Sequence, residues 1–235
     1  MNYQAILFDM DGVIIDTHDS VTAFWHTIAA EWNMTLTQAD FEQHIYGCPA
    51  EHTFNVLFPQ IIGPSKAAIF ERMQEYELNL SYIAVPGVKT LLQALKQHGI
   101  LTALVTSGDR WKVQAVSDQL GLEGLFTAYV TINDVSRGKP HPDAYLLGAK
   151  RLDQPPQHCL VFEDAVSGVT AAVVAGATCI GVQSSPRLAA ALRRAGACHI
   201  ISDFRAVSLL APTNPIDLRY LQLDSGPTFA LNAGL

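Results

Sequence analysis

The chain has 235 residues, of which 49% are apolar and 16% are charged, and its formal net charge is -7 at pH 7. This composition excludes a largely disordered chain, and the negative charge argues against nucleic acid as a main partner. No apolar run is long enough for a membrane span or a secretory signal, and the four cysteines lack C-x-x-C spacing, so we expect a cytoplasmic protein with no membrane contact, zinc site or redox pair.

Short apolar runs of strand length alternate with stretches of helical spacing along most of the chain. The strand-like runs are residues 5–8, 101–106, 129–132, 160–162, 179–182 and 199–201, and helices are predicted at 88–97, 143–151 and 165–174. Near-continuous apolar character is typical of parallel strands that are covered on both faces. The alternation therefore predicts an α/β domain with a mostly parallel, doubly wound sheet.

Residues 17–83 interrupt this alternation. Their apolar residues keep helical spacing, and the segment holds eight acidic side chains but only two basic ones, Lys66 and Arg72. We predict a helical insert at 17–83 within an α/β core made of 1–16 and 84–206. Residues 207–235 show no clear periodicity and are assigned to a C-terminal extension of unknown role.

The first strand ends in two carboxylates, Asp9 and Asp11. At spacing i and i+2 they point the same way, and like charges so close together need a cation or a shared proton. A solvated strand end and a calcium loop are the alternatives. An EF-hand loop is disfavoured because Val13, Ile14 and Ile15 stand where oxygen ligands are needed.

Three further segments carry polar groups at or after strand ends. They are Thr106-Ser107-Gly108, Lys139 in a loop with two prolines, and Glu163-Asp164. Each is a weak signal alone, since an exposed lysine is by default a solvated surface charge. The carboxyl ends of parallel strands share one edge of the sheet, so we expect all of them to converge there. Together they supply what phosphoryl transfer requires: a nucleophile, an acid, hydroxyl donors, a cation and metal ligands.

In this order, the motifs resemble those of haloacid dehalogenase (HAD) superfamily phosphatases. The motifs are Asp9-x-Asp11-Gly12-Val13, Thr106-Ser107, Lys139-Pro140 and Glu163-Asp164-x-x-x-Gly168. The resemblance spans about residues 4–204 and points to subfamily I, which includes β-phosphoglucomutase and phosphoglycolate phosphatase. It implies a Rossmann-like core and an α-helical cap domain inserted after the first motif.

The resemblance also implies a role for each motif residue. Asp9 is the nucleophile that forms an aspartyl-phosphate, and Asp11 is the general acid and base. The residues implied in phosphate binding are Asp9, Met10, Asp11, Thr106, Ser107 and Lys139. The implied Mg²⁺ ligands are Asp9, the backbone carbonyl of Asp11, Asp164, and Glu163 directly or through water.

Asp11 argues against a dehalogenase, which lacks an acid at this position. The mutase family carries a histidine at the position of Val21 and an arginine at that of Ala50, so hydrolysis of a small phosphomonoester is favoured. The acidic insert predicts a sugar or polyol phosphate, and a poor phosphoglycolate or bisphosphate substrate. A sugar phosphomutase and a catalytically silent phosphoacceptor or binding protein are the alternatives. We expect a monomer or weak homodimer.

Overall fold

The computed structural model describes residues 2–210, 219–223 and 226–231. After the short strand β1 (Asn2–Tyr3), six strands form a parallel sheet in the order β4-β3-β2-β5-β6-β7. They are β2 (Ala5–Phe8), β3 (Leu101–Val105), β4 (Ala128–Val130), β5 (Cys159–Glu163), β6 (Thr178–Val182) and β7 (His199–Ile201). Each predicted strand is present within two residues of its expected bounds. The predicted α/β fold with a parallel sheet is confirmed.

Nine α-helices lie within the described residues. They are α1 (His18–Glu31), α2 (Gln38–Asp40), α3 (Ala50–Leu57), α4 (Gly63–Leu78), α5 (Val88–Gln97), α6 (Arg110–Leu120), α7 (Asp143–Arg151), α8 (Val166–Val174) and α9 (Pro186–Ala195). A π-helix (Phe41–Ile45) and two 3₁₀ helices (Ile132–Asp134, Pro156–His158) complete the helical segments. None of these helices is both long and apolar enough to cross a membrane.

The central strand β2 is buried along its whole length and packs on both faces. Ile6 and Phe8 join the apolar cluster that includes residues of α5 and α6, whereas Ala5 and Leu7 join the cluster that includes residues of α7 and α8. The alternation follows from the two-residue period of a strand. A strand covered on both sides holds its end rigidly, and Asp9 follows at that end.

Helices α1 to α4 pack around a separate aromatic cluster. The Trp25 ring stacks on Phe58 at a centroid distance of 5.7 Å and meets Phe54 edge-on at 5.3 Å. The chain enters and leaves this helical region side by side. The Asp16 N–H donates to the Ile83 carbonyl, and the Val85 N–H donates to the Ile14 carbonyl, each at 2.9 Å.

A second sheet of four strands, in the order β1-β10-β9-β8, was not predicted. Its last three strands are β8 (Val207–Leu210), β9 (Arg219–Leu223) and β10 (Thr228–Leu231). They come from the segment 207–235, which shows no clear periodicity and was assigned to a C-terminal extension of unknown role. Leu221, Leu223 and Leu231 are completely buried against the main core, which explains why these strands form. The rest of that predicted extension lies outside the described residues.

Candidate active site

The predicted site residues follow three adjacent strands. In the sheet register Phe8 pairs with Leu104 on β3 and with Phe162 on β5. Asp9 therefore lies between the ends of β3 and β5, where Thr106 and Asp164 follow. The structure thus brings these segments together at one edge of the sheet, as expected from the parallel topology.

Lys139 connects two of these strand ends. Its side chain is 1% exposed, and Nζ lies 2.6 Å from Asp9 Oδ1, 2.6 Å from Glu163 Oε1 and 3.1 Å from the Val105 carbonyl. Burial alone would lower the pKa of Lys139, but the charges of Asp9 and Glu163 outweigh it and raise the pKa above its ordinary value. Lys139 is therefore a fixed cation beneath the site rather than a solvated surface charge.

Glu163 is completely buried, and both of its oxygens already accept hydrogen bonds from the protein. Oε1 accepts from Lys139 and from the Tyr145 hydroxyl, both at 2.6 Å. Oε2 accepts from the backbone N–H groups of Asp164 at 3.0 Å and Ala165 at 3.2 Å. Sequence reasoning missed Tyr145, which lies on the buried face of α7.

Three carboxylates form a cluster that suits a metal ion. Oxygens of Asp9, Glu163 and Asp164 all lie within 4.8 Å of one another. Burial and the neighbouring acids raise the pKa of Asp9 to about 7 despite Lys139, and they raise the pKa of Asp164 well above its ordinary value. Such a buried excess of negative charge is relieved by a cation, and an oxygen-only donor set fits Mg²⁺ or Ca²⁺.

The Asp11 side chain is held apart from this cluster. Its Oδ1 accepts from the Thr17 hydroxyl at 2.7 Å and from Lys112 Nζ at 2.8 Å. Of the predicted metal ligands, only Asp11 contributes no side-chain oxygen to the three-carboxylate cluster. Lys112 was not among the predicted site residues, and its contacts are with segments distant in sequence.

Small donors surround the position next to Asp9. Thr106 is 2% exposed, and its Oγ1 accepts from the Gly108 N–H at 2.9 Å, which leaves its proton available to a ligand. Across the described residues, no acceptor contacts the backbone N–H groups of Met10, Asp11 and Ser107. Unsatisfied N–H groups at a strand end are ready donors to a bound anion.

Two glycines allow the acids to approach the backbone. A Cβ on Gly12, whose φ is +73°, would lie 1.9 Å from Asp164 Oδ2. A Cβ on Gly168 would lie 1.7 Å from Glu163 Oε1. Any larger residue at either position must displace the carboxylate, so both glycines of the motifs have a steric reason to be there.

A cavity of about 260 Å³ lies between the acids at the strand ends and the helices α1, α3 and α4. These helices give it an apolar wall made of Val21, Trp25, Ala50, Phe70 and Met73. Its charged lining residues are Asp9, Asp11, Glu51, Glu77, Asp109, Asp164 and Lys112. Positive charge at the described wall thus comes from one lysine, which faces two carboxylates.

The fold and this site define a hydrolase class, and comparison with known proteins identifies it. A family model for haloacid dehalogenase-like hydrolases matches residues 3–176. The chain therefore belongs to the haloacid dehalogenase-like hydrolases. This confirms the resemblance inferred from the motifs and the expectation of a HAD-type phosphoric monoester hydrolase.

Similar proteins include phosphatases and a mutase. The chain is 35% identical to hexitol phosphatase A of Escherichia coli, over 80% of this chain and 88% of that protein. It is 31% identical to a phosphorylated carbohydrates phosphatase of Thermotoga maritima (88% and 98% covered) and 28% identical to β-phosphoglucomutase of Bacillus subtilis (80% and 88%). A solved hydrolase from Pseudomonas syringae shares the fold with a TM-score of 0.74 and 29% identity, over 86% of this chain and 94% of that one.

Proposed function

We propose that this protein is a Mg²⁺-dependent phosphatase that hydrolyses a small sugar or polyol monophosphate through an aspartyl-phosphate on Asp9. The observation that carries the proposal is the position of the Asp9 carboxylate. Its Oδ1 is held by Lys139, no described residue donates to its Oδ2, and Asp9 lines the cavity. In this proposal 1–16 and 84–206 form the catalytic core, and 17–83 is the cap.

In the first half-reaction Asp9 attacks phosphorus, the bond to the ester oxygen breaks, and Asp11 gives its proton to that oxygen. In the second, water attacks the phosphoryl group, Asp11 takes its proton, and the bond to Asp9 breaks to release phosphate. Lys139 keeps positive charge beside the nucleophile, while Thr106 and the N–H groups at Met10, Asp11 and Ser107 bind the phosphoryl oxygens.

Mg²⁺ would be held by Asp9, Asp164 and the backbone carbonyl of Asp11, where it would neutralise phosphoryl charge. Glu163 fits a different task. Its four protein donors occupy both oxygens, so we assign it to orienting Lys139 and the Asp164 backbone, with any contact to the metal made through water.

The cavity wall supports a substrate with one phosphate and a neutral remainder. Lys112 is already paired with Asp11 and Glu77, and burial lowers the pKa of His18 from its usual value of 6.5, which favours a neutral ring. A second phosphate or a carboxylate would meet an acidic wall without a free cation among the described lining residues. The two carbohydrate-phosphate phosphatases among the relatives act on compounds of this class.

The mutase alternative is weakened at two positions that line the cavity. Val21 and Ala50 stand there in place of the histidine and arginine of the mutase family. Both are apolar, so neither supplies the polar contact that a phosphorylated sugar intermediate needs when it reorients within the site. A cytoplasmic location, the absence of a nucleic-acid or membrane partner, and a monomer or weak dimer stay predictions.

The test is phosphate release from a panel of hexitol, hexose, glycerol and glycolate phosphates, with and without Mg²⁺. We expect Mg²⁺-dependent phosphate release that is fastest on the neutral polyol and sugar esters. A metal chelator and the variant Asp9→Asn should each abolish this release. Asp118→Asn on the exposed side of α6 is the matched control and should keep activity. Acid quenching with labelled phosphoryl substrate should leave label on the wild type and on Asp118→Asn, but not on Asp9→Asn.

Activity that survives Asp9→Asn would contradict the nucleophile assignment. Fastest turnover of phosphoglycolate would contradict the substrate class. Interconversion of hexose 1- and 6-phosphates without phosphate release would favour the mutase instead.

A further inference from the structure

Lys112 is a buried lysine with two acidic partners. It lies in the first turns of α6, is 5% exposed, and its Nζ is 2.8 Å from Asp11 Oδ1. The same nitrogen is 3.0 Å from Glu77 Oε1 and 2.9 Å from Glu77 Oε2. Burying an ammonium group costs free energy unless carboxylates lie within ion-pair distance of it. The buried position of Lys112 therefore depends on both Asp11 and Glu77.

The three partners come from separate parts of the fold. Asp11 follows β2, Lys112 belongs to core helix α6, and Glu77 lies in the last turn of insert helix α4. The Glu77 carboxylate has no other donor among the described residues, and its Oε2 is shut off from solvent. Glu77, which belongs to the predicted insert, therefore acts on Asp11 only through its ion pair with Lys112.

The contacts also fix which Asp11 oxygen is free. Oδ1 receives both Thr17 and Lys112, whereas no described residue donates to Oδ2. Two donors on one oxygen stop the carboxyl group from turning about its Cβ–Cγ bond. The free oxygen is thereby held in one orientation beside the cavity.

We propose that Lys112 is a positioning residue for Asp11 and that Glu77 holds Lys112 in place from the helical insert. The inference rests on the proposed function, because it assigns a role to Lys112 through the acid–base work of Asp11. It adds that part of the acid–base geometry is built by the insert, which otherwise shapes the substrate cavity.

The test compares two leaving groups in single-turnover experiments. An alkyl phosphate such as a hexitol phosphate needs a proton on its leaving oxygen, whereas p-nitrophenyl phosphate releases a stable anion. Removing Lys112 with Lys112→Met should slow alkyl cleavage at least about ten-fold more than p-nitrophenol release, since general acid catalysis supplies about 10²–10⁴-fold. In steady-state assays of the alkyl substrate, KM should change less than kcat.

Two further variants complete the design. Glu77→Gln keeps the side-chain shape and should cause a smaller loss with the same preference against the alkyl substrate, which keeps the test decisive if Lys112→Met fails to fold. Arg72 lies on α4, as Glu77 does, and Arg72→Met removes an exposed ion pair between this residue and Glu31 of α1. This control should leave both rates unchanged.

Equal losses on the two substrates, or a rise in KM alone, would overturn the positioning role and assign Lys112 to fold stability or substrate binding. Such a result leaves the proposed phosphatase intact, because the wild type and Asp9→Asn are measured in the same assay. A wild type that cleaves neither substrate overturns the proposed function and this inference together.

Discussion

Tyr145 is expected to stabilise the folded protein through its hydrogen bond to Glu163. The hydroxyl lies 2.6 Å from Oε1, Tyr145 is 1% exposed and Glu163 is completely buried. Tyr145→Phe removes the donor but keeps the ring, whose centroid is 4.9 Å from Lys139 Nζ. Oε1 then retains only the Lys139 donor, in a position that water does not reach in the native state.

The magnitude follows from the charge of the acceptor. A hydrogen bond to a charged group contributes about 1.5–3 kcal/mol, and each kcal/mol shifts Tm by roughly 2–4 °C in a chain of this size. We therefore expect Tyr145→Phe to lower Tm by roughly 3–12 °C, with the secondary structure unchanged.

Thermal unfolding followed by circular dichroism, together with urea unfolding, measures this loss. Tyr129→Phe is the matched control, because Tyr129 is only half-buried and its hydroxyl bonds to no described residue. A loss of Tm in Tyr145→Phe no larger than in Tyr129→Phe would refute the reasoning that Glu163 depends on this donor.

Three more predictions test electrostatics, sterics and specificity. Arg151, Thr131 and Arg110 hold the pKa of Asp134 well below its ordinary value of 3.8, so its contribution to stability is present above that value and is lost as pH falls through the lower folded pKa. The difference in unfolding free energy between wild type and Asp134→Asn, from urea titrations, should therefore narrow between pH 7 and pH 3; a constant difference would contradict this. Gly12→Ala should lose more stability and Mg²⁺-dependent activity than Gly99→Ala, because both have positive φ but a Cβ at Gly99 meets no atom within 4 Å. Ala50→Arg should raise kcat/KM for phosphoglycolate relative to a hexitol phosphate by about ten-fold, the equivalent of about 1.4 kcal/mol, and an unchanged ratio would count against the acidic-wall argument.

The core was predictable because its signals are local. Each strand of the main sheet is a short apolar run, and Asp9, Thr106 and Asp164 follow their strands directly. Parallel topology then places those strand ends together without any further information. The second sheet was missed for two reasons. Asn2 pairs with Ala230, and no local pattern encodes a pairing across the length of the chain. The strands β8, β9 and β10 are neighbours in sequence, but residues 207–235 show no clear periodicity that would indicate them.

The site was predictable only where a motif carries it. Lys112 and Glu77 stand in helical segments where a charged residue is by default solvated. They are buried because α4 packs on α6 over Asp11. Lys112 is thereby paired with Glu77, 35 residues away in sequence, and with Asp11, 101 residues away. Tyr145 was missed for a similar reason. An aromatic residue at a buried helical position is ordinarily a core residue, and the partner of its hydroxyl, Glu163, lies on strand β5.

The side-by-side crossing of Ile14–Asp16 with Ile83–Val85 bears on how this chain could diversify. The two hydrogen bonds there bring the ends of residues 17–83 together. With respect to the rest of the chain, this segment is therefore a closed loop. Loop-closure entropy grows only with the logarithm of length, by about 0.6 kcal/mol for each doubling. Segments of very different size could thus be exchanged at this junction over evolutionary time at little thermodynamic cost, while the carboxylates at the sheet edge stay untouched.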